Sequence, residues 1–296
     1  MLLVVCPNLA IDRILQVDHF KAGKVQRSRT VFIQPGGKGS NVARVFRQLG
    51  GEVVLTGFVG RENGAQIVEP LRRMGIVVDA VIGFENQSRT CTIICDIGQG
   101  SHPTVVNEES PELASSAAAK LMSRVEKWIP HVDAVLATGS LSQGLPSDFY
   151  AEILERARCR GKLTAIDATG AALHAGLLTR PSFMKPNAEE FSQLTAASSF
   201  SFIAAHTAIT FGKAGAALIH NGDCIYAPPP HVYDTNPIGA GDAFAAGYLK
   251  SLMRGASAKE CLRWAIATAA CDAGTLRPGF VDPRQVQDLH AKAALQ

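Results

Sequence analysis

A loop of small residues, Asn236-Pro237-Ile238-Gly239-Ala240-Gly241-Asp242, runs directly into the apolar stretch Ala243-Phe244-Ala245-Ala246-Gly247-Tyr248-Leu249. The first turn of a helix presents unpaired N–H groups and the positive end of its dipole. Gly239, Ala240 and Gly241 carry little side chain to screen those groups, so an anion can come close to the backbone. Asp242 would stand at the rim of that anion hole. A carboxylate beside a bound phosphate can take a proton from an attacking hydroxyl, which is the chemistry of phosphoryl transfer. An Asp in a first helical turn also serves as a plain cap or dipole partner. Residues elsewhere in the chain must decide between the two.

The second site-like segment is Gln34-Pro35-Gly36-Gly37-Lys38-Gly39-Ser40-Asn41-Val42-Ala43. Its glycines would let a ligand approach the backbone, and the helix expected after them offers its N-terminus. It is not a P-loop, because the pattern G-x-x-x-x-G-K followed by Ser or Thr is absent. Gly37-Lys38-Gly39-Ser40-Asn41-Val42 puts Val where a dinucleotide fingerprint needs its third glycine. A dehydrogenase would also carry that fingerprint just after the first strand, and the segment after Cys6 has none. The glycines alone fit a turn before a helix, but a turn does not need Lys38.

The elements that must carry these segments can be read from the hydrophobic pattern. Short apolar runs bounded by turn residues predict strands over 2–6, 53–59, 134–138, 163–167, 183–185, 208–211 and 216–220. Helical patterns cover 41–49, 65–74, 111–127, 147–158 and 242–254 between and after them. This alternation predicts a parallel sheet with helices on both faces and a ligand site beyond the carboxyl ends of the strands. Two places break the rhythm. Strand-like runs at 13–17 and 27–33, and again at 90–97 and 103–107, have no helix between them. They predict either a small antiparallel sheet beside the main one, able to act as a lid, or edge strands of the main sheet.

Composition bounds the rest. At 296 residues the chain is long enough for one large domain or two smaller ones. With 47% hydrophobic and 19% charged residues it supports a sizeable core rather than disorder. A net charge of +3 without basic runs gives no reason to expect nucleic acid. The 7 scattered cysteines form no C-x-x-C pair, which reads as reduced thiols in a cytoplasmic protein. Residues 1–6 are apolar but too short for a signal peptide, and no run approaches a membrane span.

The two glycine segments, in this order, resemble those of the PfkB (ribokinase-like) carbohydrate kinases: G-G-K-G-x-N-x-A in the first and G-A-G-D in the second. The resemblance runs over nearly the whole chain. Asn8-Leu9-Ala10-Ile11-Asp12 is similar to the family's sugar-binding N-P-x-x-D, and Gly139-Ser140-Leu141 to part of its S-G-S-L turn. Lys185-Pro186-Asn187-Ala188-Glu189-Glu190 resembles K-P-N-x-x-E, and Thr210-Phe211-Gly212-Lys213-Ala214-Gly215-Ala216 its nucleotide turn. Many members place Asp-Thr just before the glycine loop. Here Asp234-Thr235 lies too far upstream, and Asn236-Pro237 resembles the N-x-x-G-A-G-D of the phosphosugar branch. That branch phosphorylates sugars that already carry one phosphate, such as fructose 1-phosphate, tagatose 6-phosphate or fructose 6-phosphate.

The resemblance implies a ribokinase-like α/β fold over 1–296 as a single domain. Its core would be a three-layer α/β/α mostly parallel sheet, with a small β-sheet lid inserted at about 12–34 and 88–108. It implies ATP and Mg2+ as cofactors, a sugar phosphate as partner, and a possible homodimer through the lid. Asp242 would be the base, with Gly239, Ala240 and Gly241 as anion hole. A helix N-terminus should keep the Asp242 pKa low. Asp12, Gly36, Gly37, Lys38 and Asn41 would hold the sugar, with Arg27 and Arg89 matching basic positions that bind its phosphate. Lys185, Asn187, Thr210, Gly212 and Gly215 would line the nucleotide. Glu190 with Asn187 would hold magnesium through water, although the same pair fits a helix capping box. Where relatives often have T-R-x-N and T-E-x-N, this chain has Ser88-Arg89-Thr90-Cys91 and Thr104-Val105-Val106-Asn107, which bears on the choice of sugar. A kinase of an unphosphorylated sugar or nucleoside, and a non-catalytic binding protein on the same fold, remain alternatives. The intact Gly239–Asp242 loop argues against the second, because binding alone needs no base.

Overall fold

The computed structural model describes residues 1–96, 103–197, 204–232 and 235–296. The elements follow in chain order as β1 (Leu2–Asn8), β2 (Ala10–Val17), β3 (Thr30–Gly36), α1 (Lys38–Gln48), β4 (Val53–Gly60), α2 (Ala65–Arg73), β5 (Val77–Val78), β6 (Val81–Phe84), β7 (Thr90–Asp96), β8 (Thr104–Asn107), α3 (Ala117–Trp128) and β9 (Ala134–Thr138). The second half supplies α4 (Phe149–Arg158), β10 (Leu163–Asp167), α5 (Gly170–Leu177), β11 (Phe183–Met184), α6 (Ala188–Ala197), β12 (His206–Thr210), β13 (Ala216–His220), β14 (Asp223–Ala227), α7 (Ala240–Leu252), α8 (Ala258–Ala273) and α9 (Pro283–Lys292).

The large sheet has the order β14-β13-β12-β11-β10-β9-β1-β4-β5, with β6 also paired to β4. Its centre is parallel, as the alternation predicted. The two strands at one end, β13 and β14, run antiparallel, because only the short turns 211–215 and 221–222 join them to their neighbours and no helix crosses over. β1 is wholly apolar up to Cys6 because it is buried on both faces. Leu2, Val4 and Cys6 face a core built with α1, α7, α8 and α9, while Leu3 and Val5 face one built with α3, α4 and α5.

A separate four-stranded sheet has the order β3-β2-β7-β8. β2 runs antiparallel to β3 but parallel to β7, so the smaller sheet is mixed rather than antiparallel. Its period-2 alternation gives two distinct faces. On one face, Ile14 and Ile93 pack with Phe32 against Ile238 and Leu276, beside the N-terminus of α7. The same face carries the cross-strand row Gln34, Asp12, Cys91 and Asn107. The other face leaves Val31, Ile33 and Val106 exposed.

Several boundaries differ from the sequence reading. β3 begins at Thr30, which leaves Arg27 in the loop before it. α3 begins at Ala117 rather than at 111; Ala114 instead donates its N–H to the Gly83 carbonyl, so 111–114 run past the end of β6. The last residue of the run read at 90–97 and the Asp234 used to set the glycine-loop register lie outside the described residues.

Candidate active site

The carboxyl ends of β12, β11, β10, β9 and β1 line up along one edge of the large sheet, and the chain places Thr210, Lys185, Asp167, Thr138 and Asn8 there in turn. The N-termini of α1 and α7 meet this edge, both entered through glycine. Gly239 caps α7 with φ of 92°, a left-handed conformation that an L side chain resists. The N–H groups of Gly241 and Asp242 have no hydrogen-bond partner among the described residues. These open N–H groups at a helix N-terminus are able to receive an anion.

Asp242 is buried, 7% exposed, and its Oδ2 accepts a hydrogen bond of 2.8 Å from Asn41 Nδ2. Burial raises its pKa to about 6, with Asp167 adding to the rise and Lys38, the Asn41 bond and Lys185 opposing it. This corrects the expectation of a depressed value. The helix N-terminus does favour the anion, but removing the carboxylate from water outweighs it. The result is a base still ionised at neutral pH and closer in strength to what proton transfer needs.

Lys38 extends from α1 to Asp167, with Nζ 2.8 Å from Oδ1, and Lys185 Nζ approaches the same oxygen at 3.6 Å. Burial alone would push the Asp167 carboxyl up, but Lys185 and Lys38 together hold it below the usual carboxylate range. For Lys38, burial works against the charge, yet Asp167 and Asp242 keep its pKa above the ordinary value. Two ammonium groups beside the first turn of α7 make a site for an anion carrying several charges. The added Cβ of any residue larger than glycine at 241 would lie 3.3 Å from Lys185 Nζ, so the backbone and that lysine share one wall.

On the opposite side, Asp12 of the small sheet is buried, and burial raises its pKa to about 6 against the pull of Arg44 and Arg89. A Cβ at Gly36 would stand 2.0 Å from Asp12 Oδ1, so the glycine is what leaves room for that carboxylate. Arg89 donates to the Asn8 carbonyl at 3.3 Å and reaches Cys91 Sγ at 3.3 Å, while its buried Nε has no partner. Asn8 Nδ2 donates to Ser140 Oγ at 2.9 Å, leaving its buried Oδ1 unpaired. Unpaired buried donors and acceptors of this kind mark where a polar ligand belongs.

Other expected residues fall differently. Arg27 is exposed in the 18–29 loop and makes no hydrogen bond or ion pair among the described residues. Asn41 does not stand free for a substrate hydroxyl, because Oδ1 accepts from Arg44 and Nδ2 is turned to Asp242. Asn187 and Glu190 form a reciprocal capping box, with Oδ1 accepting from the Glu190 N–H and a Glu190 oxygen accepting from the Asn187 N–H, both at 2.8 Å. Asn187 also bridges to Thr210, which leads into the Gly212–Ala214 turn and Gly215.

Three residues of the site were not found in the sequence. Asp167 was legible only as the last residue of an apolar strand, followed by Ala168-Thr169-Gly170. Arg44 lies one helical turn after Asn41 among the buried residues of α1, where nothing in the sequence distinguishes it from a surface arginine. Asp272 sits in the alanine-rich α8, takes hydrogen bonds from the Gly279 and Phe280 N–H groups, and has its pKa raised to about 8, first by burial and further by Asp242.

No helix among the described residues is long and apolar enough to cross a membrane. No group of three or more His, Cys, Asp and Glu side chains among them could hold a metal ion. The fold has solved counterparts. Phosphofructokinase-2 from Escherichia coli, in complex with fructose 6-phosphate, superposes with a TM-score of 0.86 at 22% identity, covering 98% of each chain. A possible 1-phosphofructokinase from Thermotoga maritima gives 0.88 at 21% identity, covering 100% of this chain and 98% of that one. A family model described as pfkB family carbohydrate kinase matches residues 1–280. The chain belongs to the PfkB family of carbohydrate kinases.

Proposed function

We propose that this protein transfers the γ-phosphoryl group of ATP to a hydroxyl of a phosphorylated ketose, with fructose 1-phosphate, tagatose 6-phosphate and fructose 6-phosphate as the candidate acceptors. The observation that carries the reading is the ionisable, buried Asp242 at the mouth of an open helix N-terminus, facing Lys38 and Lys185. The small sheet supplies Asp12 for a sugar hydroxyl, and the half-buried Arg89 beside it suits the phosphate the acceptor already carries. The fructose 6-phosphate bound by the Escherichia coli counterpart favours the same class.

Asp242 takes the proton of the acceptor hydroxyl through the oxygen that Asn41 leaves free. The hydroxyl oxygen bonds to phosphorus as the bond to ADP breaks. Lys38, Lys185 and the N–H groups of Gly241 and Asp242 stabilise charge on the moving phosphoryl group. Thr210, Gly212 and Gly215 line the nucleotide. Glu190 is a hard oxygen donor outside any group of three or more such ligands among the described residues, so a magnesium ion would be held there through water and carried mainly by the phosphates, whose charge it would neutralise.

We read 1–296 as one kinase domain with the four-stranded sheet as its lid. The exposed Val31, Ile33 and Val106 on the outer face of that sheet support a homodimer formed through it. The absence of paired cysteines supports a cytoplasmic location. The test is ADP release with the three sugar phosphates and with fructose and ribose. Activity confined to the unphosphorylated sugars would replace the reading, and activity with none would favour a binding protein.

A further inference from the structure

Arg44 is the largest fully buried side chain among the described residues. Its Nη1 donates to the Pro35 carbonyl of β3 at 2.5 Å. Its Nη2 donates to Asn41 Oδ1 at 2.5 Å and to the Pro278 carbonyl at 2.9 Å. The guanidinium carbon lies 5.2 Å from the centre of the Phe280 ring. Burying a cation this way is costly, and a plain core position on α1 would take a Leu or Met at no such cost.

We propose that Arg44 is a positioning residue that locks the Asn41 carboxamide in the one orientation able to hold the Asp242 carboxylate. This rests on the reading of Asp242 as the base. The two ends of a carboxamide are nearly alike in shape, so packing alone does not choose between them. A guanidinium only donates and therefore accepts only Oδ1 as its neighbour, and an ionised carboxylate only accepts and therefore requires Nδ2. With both partners present, one orientation satisfies both and the turned one satisfies neither. Without Arg44, the Asn41 amide can rotate and present Oδ1 to Asp242, acceptor against acceptor.

Arg44 is held rigidly enough for this. Pro35 fixes it to the strand beside Gly36 and Asp12, and Pro278 fixes it to the turn after α8. A Cβ at Gly279 would meet Nη2 at 2.7 Å, so this turn closes directly over the guanidinium. The charged and titratable groups around Asp242 are Lys38 and Arg44 from α1, Asp167 from β10, Lys185 after β11 and Asp272 from α8. Arg44 differs from the others in acting through a neutral side chain.

The test is a cycle of Arg44→Met, Asn41→Ala and the double variant, read as kcat, as KM for each substrate, and as the titration of the Asp242 carboxyl carbon by NMR without substrate. Arg44→Met is expected to lower kcat about tenfold or more by misplacing the base, with KM for ATP changed less than about twofold, and to raise the Asp242 midpoint. In the Asn41→Ala background the same substitution should have well under half of either effect, because the group it acts through is gone. Arg44→Lys, which keeps charge and donors but not the planar fork, should restore part of the loss, and it takes the place of Arg44→Met in the cycle if the latter does not fold. Equal effects in the two backgrounds overturn the proposal, as does an unmoved Asp242 midpoint in both Arg44 variants. The titration stands even if the wild type transfers no phosphoryl group, an outcome that would overturn the proposed activity instead.

Discussion

Asn41 and Asp242 lie 201 positions apart in sequence, yet Nδ2 of the first donates to Oδ2 of the second at 2.8 Å. This one bond joins the N-terminal turns of α1 and α7, and with them the two glycine segments of the chain. It also fixes which oxygen of Asp242 remains open to a substrate. Asn41→Ala should therefore reduce kcat by about tenfold to a hundredfold, the scale expected when a catalytic group is misplaced. KM for ATP should stay near the wild-type value. Steady-state kinetics on both substrates check it, and a pure KM effect on the sugar would return Asn41 to substrate binding.

The pH dependence follows from two carboxylates. Burial raises both Asp242 and Asp12 to about 6. In the proposed reaction both act as anions, one accepting a proton and the other a sugar hydroxyl, so kcat/KM should fall as pH drops through about 6 and hold steady above it. Because two groups titrate together, the acid limb should be steeper than a single protonation. A limb centred near 4 would mean that the helix N-terminus, and not burial, governs Asp242.

Asp167 holds two lysines and is itself 1% exposed. Asp167→Asn removes the charge that both face. A buried pair broken on one side typically loses about 3–5 kcal/mol; the lower end is expected here, because Lys38 is about a third exposed and can turn to solvent. Urea unfolding measures this, and KM for ATP should rise with it. A stability change under about 1 kcal/mol would show that the lysines are not anchored through Asp167.

Much of the candidate site is legible in the sequence alone, for a physical reason. A close approach to the backbone needs small residues in sequence, and Gly239–Asp242 and Gly36–Asn41 display that need directly. Residues that act by being buried give no such signal. Asp167 is one carboxylate at a strand end, and Arg44 is one cation in a helix. Only the packing of β10, α1 and β11 shows Asp167 beside Lys38 and Lys185, and only that of α1, β3 and the turn after α8 shows what Arg44 holds. The raised pKa of Asp242 is hidden for the same reason, since the sequence displays the helix dipole but not the desolvation that outweighs it. In the fold, α8 and α9 are not among the helices read from the pattern; the alanine-rich run of α8 has little periodic contrast. Their starts were nonetheless marked: Ser257 accepts from the Glu260 N–H, and Asp282, before Pro283, accepts from the Arg284 N–H.

Asp272 gives a prediction about stability. Its folded pKa, about 8, lies above the ordinary carboxylate value. Between those values the folded state binds more protons than the unfolded one, so stability should decline as pH rises toward about 8 and then level off. Asp272→Asn keeps an oxygen for the Gly279 and Phe280 N–H groups and cannot ionise. It should flatten that part of the profile and raise the Tm above pH 8 relative to the wild type. An unchanged profile would mean that Asp272 stays ionised in the fold.

Gly36 tests the sugar side alone. With a Cβ at 2.0 Å from Asp12 Oδ1, Gly36→Ala must displace that carboxylate. KM for the sugar phosphate should rise by about tenfold or more while KM for ATP hardly changes. A parallel rise in both would place Asp12 outside the sugar site.

The central claim is that Asp242 is the base in phosphoryl transfer, and its most direct test is the turnover of Asp242→Asn with ATP and the best sugar phosphate. The substitution preserves shape and the anion hole but removes the proton acceptor. Turnover should fall by about 10²–10⁴ while ATP binding, measured by calorimetry, survives. Turnover within a few-fold of the wild type would contradict the account.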